Sequence, residues 1–264
     1  MLQPGKIKEM MEEIGKARVD VVAVQEIRWQ GQGRIDKKDF SLFYSGPNER
    51  AGHYGTGFII NAKIRKCFLS FEPISDRLCK LRLRGKFRNI TLISAYAPTE
   101  DNPDAIKDNF YDQLIQVCEK AGKYDILVLL GDFNAKICKE NFIATVAGKH
   151  TLHEVASENR KRLGQLAARH NMIIKSTSFE HKRIHKGSWM CPGIDVDNQI
   201  DRVVINKRHA SSIRDVKSCL GPNCDSDHFL VKAMLRERLP NALKNHGRKR
   251  WNINKLKNEE HLNP

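Results

Sequence analysis

Polar residues stand at the ends of four apolar runs in this chain. Gln25 and Glu26 follow VVAV, Tyr96 closes NITLISAY, Asp132 and Asn134 end DILVLLGDFN, and Asp227 and His228 precede the last run. An isolated carboxylate at the end of a strand is ordinarily a turn residue, but strand ends in a layered sheet can converge on one pocket. Asp132 and Asn134 are two residues apart, so their side chains lean to one side of a strand while Phe133 turns to the core. Together these groups can orient a water, hold a hard cation and face donors toward anionic oxygens. Those are the requirements of phosphodiester hydrolysis.

The elements that must position them are mostly strands. Ile7, Met10, Met11 and Ile14 recur at helical spacing between Pro4 and Gly15 and predict a surface helix. VVAV at 21–24 is a continuous β-rich run and predicts a strand buried on both faces. The stretch from Trp29 to Pro47 reads as loops around one short strand at Phe40 to Tyr44, and GFII opens another after Gly55. KCFLSFEPI, CKLRLRG and NITLISAY continue the series, and Leu81 and Leu83 alternating with Lys80, Arg82 and Arg84 mark a half-exposed strand. Helices are expected at about 105–121 and 160–170. Between MIIKS and the last strand, at His228 to Leu235, lie a basic loop, the strand QIDRVVIN and a turn region with Gly221 and Pro222. Helices that interrupt the strands at wide intervals fit two packed sheets with helices outside better than a strictly alternating parallel fold.

The chain has 264 residues, enough for one large domain or two small ones with an ordinary core, which excludes a disordered chain. It has no run of eighteen apolar residues to span a bilayer, and no membrane partner is expected. Lys and Arg number 46 against 31 Asp and Glu, a net charge of +15. That field draws polyanions, nucleic acid ahead of an anionic membrane, although many basic domains merely carry solvated lysines. Seven cysteines without a CxxC pair or zinc spacing read as reduced, buried thiols. With no secretory signal, the expected compartment is intracellular, and nuclear if the partner is DNA.

QEIRW at 25–29, SAYAP at 94–98, GDFN at 131–134, QIDRVV at 199–204 and SDHFLV at 226–231 stand in the order of the endonuclease/exonuclease/phosphatase superfamily, which this chain resembles over about residues 5–236. Within the superfamily the likeness runs to craniofacial development protein 2-like proteins and the endonuclease domains of non-LTR retrotransposons. The resemblance implies a deoxyribonuclease I-like α/β fold, a four-layer sandwich of two mixed β-sheets flanked by helices. It implies Mg2+, or Mn2+ in its place, held by Glu26 and Asp227. Asp132 would align or deprotonate the attacking water, Asn134 and Tyr96 would hold phosphate oxygens, and His228 paired with Asp201 would stabilise the transition state. The implied activity is DNA nicking by a monomer. The alternatives are a remnant that binds nucleic acid without turnover, and a phosphatase for small phosphoesters.

Trp189 matches an aromatic near the site of retrotransposon endonucleases and reads equally as a buried core residue. The run HKRIHK at 181–186, with Lys182, Arg183 and Lys186, could track a phosphate backbone or form a solvated hairpin. His53, His150 and His153 read as surface histidines. Family members open with a strand carrying a Trp-Asn-Val type motif, and this chain begins past it, so the usual first strand is expected to be missing. Its neighbours would then have unpaired backbone and an open groove. The expected domain is 1–236, and 237–264 reads as a basic linker or tail, similar to the segment that precedes a reverse transcriptase.

Overall fold

A computed structural model describes residues 5–49, 52–138, 145–155, 157–191, 193, 196–222 and 226–236 of the chain; the expected tail at 237–264 lies outside the described residues. The apolar stripe of Ile7, Met10, Met11 and Ile14 forms one face of helix α1 (Lys6–Ala17), which ends where Arg18 turns left-handed and its N–H returns to Gly15 O at 3.1 Å. That stripe packs on Ile27 and on Val24, Leu42 and Ile59 of an antiparallel sheet. The sheet consists of β1 (Val21–Val24), β2 (Gln32–Asp36), β3 (Phe40–Ser45) and β4 (Thr56–Asn61) in the order β1-β4-β3-β2. β2 was read as loop because QGRID is polar and holds a glycine; its exposed and half-buried residues alternate, and pairing with β3 alone makes it a strand.

The chain then lays down β5 (Phe68–Pro73), β6 (Leu78–Leu83) and β7 (Ile90–Tyr96), crosses through α2 (Asp104–Glu119), and returns as β8 (Ile126–Asp132) parallel to β7. Helix α3 (Asn159–Arg169), β9 (Met172–Ile174), the short β10 (Trp189–Met190) and β11 (Asp197–Asn198), and β12 (Asp201–Asn206) follow. A six-stranded sheet, β5-β6-β7-β8-β12-β9, results. It is mixed, because β7–β8 is parallel while its other pairings are antiparallel. Last come β13 (Ile213–Cys219) and β14 (Leu230–Leu235), an antiparallel pair. β13 was missed as a strand because Arg214, Asp215 and Lys217 interrupt its apolar residues.

Three packed interfaces make the four layers. Phe110, Leu114, Leu163 and Leu166 of α2 and α3 cover one face of the six-stranded sheet. Its other face meets the antiparallel layer through Phe43, Phe58, Leu81, Leu92, Val128 and Val203, and α1 closes the outside. At the end of the six-stranded sheet away from Asp132, buried Asp125 accepts hydrogen bonds from Arg82 Nε at 2.7 Å and Thr91 Oγ1 at 2.7 Å.

β1 departs from expectation. Val21, Val22 and Ala23 are half-buried, and Val24 is the strand's buried residue. The reason is its surroundings: among the described residues β1 pairs with β4 alone and β14 with β13 alone. A cavity of about 630 Å3 lies between the two, lined by residues 18–26 and 226–235.

Candidate active site

The six-stranded sheet brings three of the expected residues into register at one end. Tyr96 on β7 is the neighbour of Asp132 on β8, and Asp132 is the neighbour of Asp201 on β12. Close packing of β7 and β8 requires Gly131, whose φ is 132° and whose Cβ, if present, would lie 2.1 Å from Ala95 O. Past it, Phe133 is buried and Asn134 takes φ 46°, returning its backbone N–H to Asp132 Oδ1 at 2.9 Å. Its side-chain Nδ2 donates to Ala97 O at 2.9 Å and Asp132 Oδ2 at 3.3 Å.

The other layer supplies Glu26, which follows β1. Tyr96 OH donates to Glu26 Oε1 at 2.6 Å, and Arg28 Nη2 to Oε2 at 2.6 Å. Glu26, Arg28 and Tyr54 all have positive φ, at 51°, 64° and 49°. Residues of these types avoid that region unless their surroundings impose it. Here Ile27 N–H donates to Gly55 O and Arg28 N–H to Tyr54 O, clamping two loops together. Arg77 stacks over the Tyr54 ring at 4.0 Å and donates to Tyr96 O at 3.2 Å.

Asp227 and His228 arrive on the segment before β14, held by the β10 strand. Trp189 bridges to His228, Met190 N–H donates to Asp227 O, and Phe229 N–H donates to Ser188 O. Ser188 Oγ also accepts from Ile200 N–H and Asp201 N–H, both at 3.0 Å. Trp189 Nε1 donates to Asp227 Oδ2 at 2.8 Å, so the half-buried indole is part of this corner rather than of the core. His228 Nδ1 lies 3.0 Å from Asp201 Oδ2, the expected pairing. Glu26, Tyr96, Asp132, Asp201, Asp227 and His228 all line the cavity beside β1; Asn134 stands behind Asp132.

The charges are uneven. Burial pushes the Asp132 carboxyl well above the usual carboxylate range and the neighbouring Asp201 charge adds to this, while His228 opposes both. Burial disfavours the charged form of His228, yet the hydrogen bond and charge of Asp201 outweigh it and raise the imidazole to about 9. Burial likewise pushes Glu26 up, but hydrogen bonds from Tyr96 and Arg28 prevail and hold it below the usual range. Burial and the Glu26 carboxylate both raise the Tyr96 phenol.

Sequence reasoning missed several supports. Arg28 was read only as part of a motif, although its charge acts on both Glu26 and Asp227. Arg202 is 1 % exposed and donates to Ala135 O at 2.8 Å and to Gln199 O, pinning the chain behind Asn134. Asn159 Nδ2 bonds Pro98 O and Asn134 O. An arginine inside QIDRVV, pointing into an apolar layer, was the available signal for Arg202. His153 is not a surface histidine: it is half-buried, accepts from Gln199 N–H at 3.0 Å, and burial lowers it to about 4. In the basic run Lys182 and Arg183 are exposed and Lys186 is half-buried, while His181 is bonded to Asp215. Among the described cysteines none forms a disulfide; Cys67, Cys79, Cys118 and Cys138 are buried as expected, whereas Cys191 and Cys219 are only half-buried. No described helix is long and apolar enough to cross a membrane.

Comparison with known proteins places this geometry. Craniofacial development protein 2 of Bos taurus is 28 % identical over 238 residues, which is 90 % of this chain and 40 % of that protein. The chain thus spans about two fifths of the length of the curated relatives it matches. The endonuclease domain of TRAS1, a telomere-specific non-LTR retrotransposon, superposes with a TM-score of 0.60 at 14 % identity, covering 89 % of this chain and 94 % of that one. An AP endonuclease from Leishmania major superposes with a TM-score of 0.66 at 14 % identity, over 89 % and 84 % of the two chains. These likenesses in structure show the same fold. The family model for the endonuclease/exonuclease/phosphatase family matches residues 3–232, the span that carries both sheets and Glu26, Tyr96, Asp132, Asn134, Asp201, Asp227 and His228, and the chain belongs to that family.

Proposed function

We propose that this chain is a Mg2+-dependent endonuclease that hydrolyses one phosphodiester bond of DNA and leaves a nick. The observation that carries the reading is the meeting of the Asp201–His228 pair with Asp132 and Glu26 at one cavity. Asp132, pushed up by burial, is suited to orient a water and take its proton near neutral pH. The backbone and amide of Asn134 keep its oxygens aimed. His228 is an imidazolium at neutral pH; with Nδ1 given to Asp201, its Nε2–H is free to face the phosphate oxygens on which charge builds. Tyr96 and Asn134 donate to the same oxygens when substrate displaces their present acceptors.

Among the described residues no group of three or more His, Cys, Asp or Glu side chains could hold a metal ion. Mg2+ takes only one or two carboxylates from a protein and keeps its waters, so Glu26 and Asp227 fit it in type and number, and Mn2+ likewise. Arg28, which acts on both carboxylates, stands in for part of that positive charge and has to turn away from Glu26. When bound, the ion supplies Lewis-acid polarisation of a phosphoryl oxygen. The net charge of +15, exposed Lys182 and Arg183, Lys186, and Trp189 at the rim favour a polyanionic substrate over a small phosphoester.

The test is nicking of supercoiled plasmid with Mg2+ and with EDTA, beside Glu26→Ala and His228→Ala. Mg2+-dependent nicking is expected, with a fall of about 100- to 10,000-fold in His228→Ala; nicking by that variant at the parent rate refutes the assignment. The Arg28–Glu26 contact favours a second reading, in which the chain binds DNA without turnover. Its mark is salt-sensitive binding with no nicks. Hydrolysis of p-nitrophenyl phosphate with plasmid left intact would instead mean a small-phosphoester phosphatase.

A further inference from the structure

The end of the six-stranded sheet away from Asp132 is basic where the other end is acidic. Three loops meet there, because β7 and β8 both start at it and the antiparallel β12 finishes at it. The loop between β6 and β7, residues 84–89, brings exposed Arg84, Lys86 and Arg88. The loop before β8 brings Lys120 and Lys123, and the loop after β12 brings Lys207 and Arg208, all exposed. Residues 84–89, 120–124 and 207–212 contain no carboxylate at all. The two carboxylates beside them are already taken: buried Asp125 by Arg82 and Thr91, and Glu119 by Arg169 at 3.1 Å.

Two aromatic rings stand among these cations. Phe87 and Tyr124 are each 70 % exposed, on the loops that lead into the neighbouring strands β7 and β8. Lys86 Nζ lies 5.4 Å from the Phe87 ring centre, and Arg208 Nη2 donates to Lys123 O at 3.0 Å, next in the chain to Tyr124. The loops are braced by backbone bonds, from Ile126 N–H to Asn89 O at 2.8 Å and from Asp125 N–H to Gly122 O at 2.9 Å. A lone exposed ring is ordinary, but two rings on adjoining loops amid cations without counter-charges have the composition that holds an unpaired polynucleotide. Its phosphates meet the cations and its bases stack on the rings. An acidic peptide would use the cations and leave the rings bare, and two rings offer a bilayer little apolar area.

We infer that this end of the sheet is a binding site for single-stranded nucleic acid, separate from the candidate active site. The backbone runs over Lys86, Arg88, Lys123 and Arg208, and bases stack on Phe87 and Tyr124. The seven residues of β8 set this surface about 20 Å from Asp132, so a strand held here leaves the cavity open. The inference goes beyond the proposed reaction and does not rest on it.

The probes are fluorescein-labelled oligo(dT) and oligo(U) of about twelve nucleotides, a length within the usual site size. Anisotropy with the full chain in EDTA reads their binding, beside a DNA duplex of the same length. Phe87→Ala with Tyr124→Ala should weaken single-strand binding by at least about tenfold and leave the duplex within about twofold, because its bases are already stacked on one another. The oligomer that loses more names the sugar. Lys86→Gln with Arg88→Gln should flatten the dependence of log K on log salt by about 1.4. All four residues are exposed, so thermal unfolding at the parent temperature checks the fold of both variants. Photo-crosslinking of a 5-iodouracil oligomer to the unsubstituted chain needs no variant and should give adducts at Phe87 or Tyr124. The proposal is overturned if the ring variant binds both oligomers as the parent does, if its duplex binding falls equally, or if adducts form only at Tyr54 or Trp189. Loss of binding to phosphatidylserine vesicles in the ring variant, with oligomer binding kept, would give the surface to a membrane instead. Since binding is read in EDTA, the result stands apart from whether the chain nicks DNA.

Discussion

In the six-stranded sheet, β8 is hydrogen-bonded to β7 on one side and β12 on the other, and Leu129 at its centre is wholly buried. In the facing layer, β1 has β4 on one side and the cavity on the other, and Val21, Val22 and Ala23 stay half-exposed. The candidate site draws on both. Tyr96, Asp132 and Asp201 sit on the closed wall, while Glu26 follows, and Asp227 and His228 precede, a strand with an open edge. The geometry of one half is thus fixed by packing, and that of the other half by backbone bonds to neighbouring loops and by side-chain contacts between the walls: Tyr96 to Glu26, and Asp201 to His228.

The sharpest way to break this contrast is to truncate one apolar side chain in each wall. Leu129→Ala should cost about 2–5 kcal/mol of unfolding free energy, the range for a buried leucine whose surroundings cannot collapse. Val21→Ala, on the side of β1 that faces the cavity floor, should cost below about 1 kcal/mol, because much of its surface is already outside the packed layer. Urea unfolding monitored by circular dichroism measures both. Equal losses would mean that the cavity is closed in solution.

The same contrast decides what the sequence made legible. NITLISAY and DILVLLGDFN are mostly apolar, as suits β7 and β8 with side chains buried on both faces, so their polar ends stood out and Tyr96, Asp132 and Asn134 could be named. VVAV looks the same as text but has a different fate, since burial depends on a neighbour that local pattern does not specify. β2 and β13 were illegible for the opposite reason: each has exposed positions, and their strand character comes from pairing rather than from composition. The Asp201–His228 pair came from resemblance, whereas Arg28 on Glu26 and Arg202 beneath the Asn134 loop needed coordinates, because a hydrogen bond between distant residues leaves no spacing to read.

Two aspartates at opposite ends of β8 sharpen the comparison through pH. Burial pushes Asp125 up, but Arg82 and Thr91 outweigh it, so its carboxyl sits below the usual range. A carboxyl lowered on folding contributes stability that is complete above its unfolded value, about 3.9, and is lost as pH falls through the folded one. Asp125→Asn should therefore cost about 1–3 kcal/mol at pH 7, with the difference from the parent shrinking in acid. Asp132 has the reverse sign. Its carboxyl is raised, so stability falls as pH climbs from the unfolded value toward the folded one, and at pH 7 its charge is a burden on the fold. Asp132→Asn should stabilise the metal-free chain by about 0.5–2 kcal/mol while abolishing nicking. Thermal unfolding from pH 3 to 8 tests both, and a loss of stability in Asp132→Asn would show that its charge is compensated.

The smallest change in stability is expected at the rim, where it separates the two walls most finely. Trp189 gives its indole N–H to Asp227 Oδ2, on the open side of the site, and the bond is exposed. Trp189→Phe keeps a ring on the β10 strand and removes only that donor, so unfolding should change by no more than about 0.5 kcal/mol. Asp227 then loses the contact that fixes its carboxylate, whereas Asp201 keeps its backbone bond to Ser188 Oγ and its pairing with His228. If Asp227 holds the ion, half-saturation of nicking by Mg2+ should shift several-fold upward with the maximal rate nearly kept, because an aimed ligand sets metal affinity more than it sets the chemical step. A change confined to the maximal rate would place Asp227 with the reacting groups and remove it from the ion.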